Sequence, residues 1–124
     1  MRPHLQAALD PGMVLAKATT RAARELNISN AALARVIGLS EPTISRIAKG
    51  TKGIDPQSKE GQLALLLIRV FRSLDPLVGA DPQKRVAWMN GHNKALNGKP
   101  FDLIESPEGL VLTLSYLDGM RAAS

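Results

Sequence analysis

The chain contains no cysteine. That excludes a disulfide framework and any thiolate-held metal, and nothing argues for an oxidising compartment. Aromatic residues are almost missing: one Trp, one Tyr and two Phe among 124 residues. A core must then be assembled from Leu, Ile, Val and Ala, which suits packed helices. Long hydrophobic runs are absent too. The longest, Leu63 to Ile68, is far too short to span a bilayer. The opening Met-Arg-Pro-His-Leu-Gln is followed by no long apolar stretch and no cleavage-like site, so no secretory signal is read and a cytoplasmic location without membrane contact is expected. What is present is a hydrophobic fraction of 44%, enough for a globular fold, in a length that supports one compact unit or two small ones sharing a core.

Acidic residues are scarce where basic ones collect. Residues 1–52 hold eight Lys/Arg (Arg2, Lys17, Arg21, Arg24, Arg35, Arg46, Lys49, Lys52) against Asp10, Glu25 and Glu41, a balance of +5. Residues 53–124 hold eight basic and eight acidic side chains and are neutral. The whole excess of charge therefore lies in the first part, as a polyanion partner would require.

That part contains a helix-turn-helix pattern from Asn30 to Lys49. Leu33, Ala34 and Ile37 fall on one helical face, and Gly38 supplies the left-handed residue of a sharp turn. Leu39 plugs the turn. Ser40 caps a second helix, and Pro42 lies in its first turn, where a missing N–H costs nothing. Ile44 and Ile47 return to the shared core, and Gly50 stops the helix. Ser40, Glu41, Thr43, Ser45, Arg46 and Lys49 are left outward, the residue types that reach base edges and phosphates in a major groove. Thr51 and Lys52 follow in a loop placed to touch the DNA backbone. At these residues the chain resembles the Xre-type, lambda-repressor-like helix-turn-helix family.

The rest of the chain also reads as helices. A helix from Met13 to Leu26 carries an apolar stripe of Val14, Leu15, Ala18, Ala22 and Leu26, with Lys17, Arg21 and Arg24 on another side, spaced for phosphates or for solvation. Residues 1–12 form a leader with turn signals. A long helix runs from about Gln57 to Leu74, and Leu65 interrupts its polar side of Gln62, Arg69 and Arg72. A break at 75–80 precedes a helix from Asp81 to about Leu96, with Val86, Met89 and Trp88 inward. Asn97-Gly98 is a turn in which Gly98 is the left-handed residue, and Pro100 to Ile104 is a short helical turn. Ser106-Pro107 opens a last helix ending near Asp118-Gly119. In it Leu110, Leu114 and Leu117 form one stripe, broadened by Val111, Leu112 and Tyr116.

No catalytic or metal-binding set of residues assembles along the chain. His4 and His92 have no metal-ligand spacing, Gly91 to Lys99 fails the phosphate-loop pattern because Pro100 stands where Ser/Thr is needed, and no serine has a histidine partner. No enzyme, cofactor or metal is expected.

The stretch Trp88-Met89-Asn90, Asn93 to Gly98 and Lys99-Pro100-Phe101-Asp102-Leu103-Ile104-Glu105-Ser106-Pro107-Glu108-Gly109 resembles the C-terminal domain of the Xre/MbcA/ParS antitoxins. The resemblance covers about residues 75–122, and the preceding helix-turn-helix follows the family's order. It implies an all-α protein, with a lambda-repressor-like domain at 1–74 and a small helical toxin-binding domain at 75–124. It also implies an antitoxin that neutralises a RES-domain toxin acting on NAD and represses its own promoter. The alternative is a stand-alone dimeric regulator with a C-terminal dimerisation or sensing domain. On the antitoxin reading the acidic end, with Asp102 and Glu105, and the last helix, with Tyr116, Met120 and Arg121 just past its end, are the toxin-binding candidates. Leu65 and Arg69 are the homodimer candidates, since one helix-turn-helix reads few base pairs and specific binding favours a two-fold dimer on duplex promoter DNA.

Overall fold

The computed structural model describes residues 10–123. The expectations placed on the leader, His4 included, fall largely outside them, as does Ser124. The described residues form seven α-helices and no strand.

Helix α1 (Pro11–Glu25) starts where Asp10 Oδ1 accepts the Gly12 amide at 2.9 Å, with proline in the first turn. Its buried face is Leu15, Ala16, Thr19, Ala22 and Ala23, rotated from the expected stripe. Val14 is 52% exposed. Small Ala16 and Ala23 let neighbouring helices approach, and the buried Thr19 hydroxyl is satisfied by donating to the Leu15 carbonyl at 2.7 Å.

Helices α2 (Asn30–Ile37) and α3 (Glu41–Ala48) form the anticipated pair. Gly38 takes φ +78°, and the amides of Gly38 and Leu39 both donate to the Ala34 carbonyl. Leu33, Ile37, Ile44 and Ile47 are buried between the two. After α3, the Gly50 amide donates to Ile47 O and the Thr51 amide to Arg46 O, a Schellman closure.

Helix α4 (Lys59–Leu77) is capped by Ser58 and runs three residues beyond the expected end at Leu74. Pro76 was read as part of a break. It lies in the last turn, where its fixed φ suits the helix and only one bond is lost. The stop comes at Gly79 and Ala80, both with positive φ.

Helix α5 (Pro82–Asn90) is capped by Asp81 as expected but ends well before Leu96, because Gly91 turns extended. Residues 91–99 instead close on themselves. Asn93 and Gly98 exchange backbone hydrogen bonds, and Asn93 Oδ1 accepts the Leu96 amide. The left-handed residue is Asn97 at φ +54°, not Gly98. Gly98 is needed for space, since a Cβ there would press on the Leu103 side chain at 3.2 Å.

Helix α6 (Pro100–Leu103) leads through the Ser106 cap into α7 (Pro107–Ala123). A Cβ on Gly109 would overlap the Leu103 carbonyl oxygen, so only glycine fits at this crossing. Helix α7 does not stop at Gly119. Asp118 and Gly119 are ordinary helical positions, and the expected tail is its last turn. Leu110, Leu114 and Leu117 are buried as anticipated, while Val111 and Leu112 are 48% and 49% exposed and do not broaden that stripe.

One hydrophobic cluster joins both ends of the chain, from Leu26, Ile37 and Ile44 through Leu67 and Leu74 to Met89, Ile104, Leu110 and Leu117. Helix α4 is its spine, packed on α1, α2 and α7. Each such Leu or Ile contributes about 1.5–3 kcal/mol on burial. Neither half is therefore a core of its own.

Candidate functional site

The outward face of α3 is preorganised by its own side chains. The Ser40 hydroxyl accepts the Thr43 amide at 3.3 Å and donates to Thr43 Oγ1 at 2.9 Å, and Arg46 Nη2 donates to the same Oγ1 at 3.3 Å. Three residues one turn apart thus form a chain that holds the Arg46 guanidinium along the helix rather than loose in solvent. Glu41, Arg46 and Lys49 are exposed, whereas Thr43 and Ser45 are half-buried at the flanks. Thr51 donates its hydroxyl to the Arg46 carbonyl at 3.1 Å, which leaves it no donor for a phosphate in this conformation. Lys52 is exposed on the same loop.

The candidates at the other end do not gather into one patch. Tyr116 is half-buried and stacks on Trp88, with ring centroids 6.5 Å apart and planes 17° from parallel. Met120 lies one turn further on and is 44% exposed, and Leu112 one turn before. Arg121, expected past the helix end, is inside α7, and its Nη1 donates to Ser73 Oγ of α4 at 3.3 Å. Asp102 is exposed on α6. Glu105 reaches back to the helix-turn-helix, taking Arg35 Nε at 2.8 Å and Nη2 at 3.3 Å in a bidentate pair. The hydrogen bond to Glu105 and then its charge raise the Arg35 pKa above its ordinary value. Leu65 is 44% exposed on α4, and Arg69 lies 3.6 Å from Asp118. Asp118 also accepts the Ser73 hydroxyl at 2.7 Å.

One residue escaped the sequence reading. Arg85 of α5 is buried, with Nε donating to Asp75 at 3.0 Å, Nη1 to Glu25 Oε2 at 3.1 Å, and its guanidinium 5.5 Å from the centre of the Phe71 ring. Its spacing to Met89, four residues on and expected inward, was the available signal. No group of three or more His, Cys, Asp or Glu is placed to hold a metal among the described residues. Nor is any described helix long and apolar enough to cross a membrane.

Two family models match the chain in succession. Residues 6–69 match the antitoxin Xre-like helix-turn-helix domain, and residues 70–122 match the antitoxin Xre/MbcA/ParS C-terminal toxin-binding domain. No curated protein matches it. With these models laid end to end over the observed all-helical fold, the chain belongs to the antitoxin Xre-like helix-turn-helix family and has the make-up of a type II antitoxin: a DNA-binding half followed by a toxin-binding half.

Proposed function

We propose that this antitoxin represses the operon that encodes it and neutralises a RES-domain toxin, an enzyme acting on NAD, through the outer face of α7. The observation that carries the first part is the Ser40–Thr43–Arg46 chain, which presents a fixed guanidinium and hydroxyl edge at the groove-facing side of α3. Arg46 and Thr43 read base edges, Ser40, Glu41 and Ser45 border them, and Lys49 and Lys52 hold phosphates. Thr51 shapes the loop. The second part is supported by Leu112, Tyr116 and Met120, which follow one another at single-turn intervals on α7, two of them about half exposed. A helix face with large apolar side chains left in solvent fits a protein groove and not a nucleic acid. Asp102 is available at its acidic border; Glu105 ties the two halves together through Arg35, Arg121 ties α7 to α4 through Ser73, and both serve the toxin only indirectly.

Exposed Leu65 beside Arg69 favours a homodimer about α4, with two copies of α3 on a pseudo-palindrome. The same observation keeps the stand-alone regulator in play, and the neighbouring reading frame separates them. Co-expression with that frame, followed by cellular NAD, tests the proposal. NAD should collapse with the neighbour alone and stay level with both. A neighbour that leaves NAD unchanged on its own would remove the RES-toxin assignment.

A further inference from the structure

Lys17, Arg21, Arg24, Lys49 and Arg72 enter no ion pair among the described residues, yet they lie along two adjoining grooves. Lys17, Arg21 and Arg24 stand at i, i+4 and i+7 on α1, and all three are exposed. The larger groove, about 590 Å³, runs between this ridge and the C-terminal end of α3, where Ala48, Lys49 and Gly50 form the opposite wall. No carboxylate lines it. A further groove continues past Arg24 and Asn27 to Ser29 and Asn30 at the N-terminus of α2.

We propose that the α1 ridge is a second DNA contact, which with Lys49 grips the phosphates flanking the base pairs faced by α3. This rests on DNA binding by the helix-turn-helix. Lys49 belongs both to the groove and to the end of α3, so a backbone held by one reaches the other. The ridge carries one sign of charge, and none of its three cations is paired with an acid among the described residues; Glu25, the carboxylate next to Arg24 in sequence, is taken by Arg85. A continuous polyanion answers all three cations at once. Seven residues at 1.5 Å per residue set the ridge over about 10 Å, the axial length of about three phosphates of one strand. The groove then delivers that strand to the N-terminus of α2, whose first amides favour an anion.

The test is fluorescence anisotropy of the full chain on two duplexes of about 30 base pairs, one from the DNA just upstream of its own coding sequence and one a scrambled version, over about 50–300 mM KCl. The triple variant Lys17→Gln/Arg21→Gln/Arg24→Gln should make the salt slope of log K shallower by about 2–3 on both duplexes and weaken both about tenfold or more. The preference between them should stay. Arg21→Gln alone should remove about one unit of slope, and Lys84→Gln, an exposed cation of α5, almost none. Unchanged slopes in variants with the wild-type circular dichroism spectrum would overturn the proposal, the more so if the triple variant loses capture of the neighbouring toxin instead. Should the wild-type chain bind neither duplex, the DNA reading itself falls. Wild-type binding with unaltered variants removes only the ridge.

Discussion

Arg85 is the one charged side chain buried among the described residues, and it is also the point where three helices meet. Its fork takes Asp75 from α4 and Glu25 from the end of α1, and the Phe71 face receives the remaining surface. A lysine cannot span both acids with a planar fork. Arg85→Ala leaves two half-buried carboxylates without their cation and should destabilise the chain by roughly 2–4 kcal/mol in urea unfolding. Arg85→Lys should recover only part of that loss. Arg46 sets the opposite case, since it is exposed and no core contact depends on it. Arg46→Ala should leave the urea midpoint in place and cost roughly 1–3 kcal/mol on the operator if it makes a bidentate guanine contact. Normal operator binding by a folded Arg46→Ala chain would remove α3 as the reading element.

At the scale of elements, helix starts were legible in the sequence to within two residues, as were the ends of α1, α2 and α3, whereas the ends of α4, α5 and α7 were not. Asp10, Ser29, Ser40, Ser58, Asp81 and Ser106 each accept an amide two or three residues on, so the start signal is carried by one side chain. Those three ends are settled by neighbours. Helix α4 passes Pro76 because Asp75 is held by Arg85, and α7 passes Gly119 because Asp118 and Arg121 are both tied to Ser73 of α4. Helix α5 stops early because Asn93 closes a turn with Gly98. The outward residues of α3 were readable for the same local reason as the starts. The Arg35–Glu105 and Arg85–Glu25 links were not, since 70 and 60 residues separate the partners. Deleting residues 119–124 therefore removes the last turn of α7 together with Arg121, and should lower the melting temperature measurably while operator binding persists. Leu65→Glu tests the α4 face: light scattering should show a dimer for the wild-type chain and a monomer for the variant. A monomer in both at micromolar concentration would exclude the dimer about α4.

Over the whole molecule, a basic reading head and an apolar helix face share one core through α4. The Arg35–Glu105 pair spans the two halves on the surface, and Arg35 stays protonated at any physiological pH, so the link is not opened by titration of the arginine. The central claim is that one small core supports two separable activities, one at each end. Arg46→Ala and the double variant Leu112→Asp/Met120→Asp divide them, since all three residues are exposed. The decisive measurement follows NAD consumption by the purified neighbouring toxin and binding to the upstream duplex, side by side, for the wild-type chain and both variants. The account predicts that Arg46→Ala protects NAD fully while binding the duplex about tenfold or more weakly, and that Leu112→Asp/Met120→Asp keeps the duplex while NAD is consumed. Full NAD protection by the folded Leu112→Asp/Met120→Asp chain would contradict it.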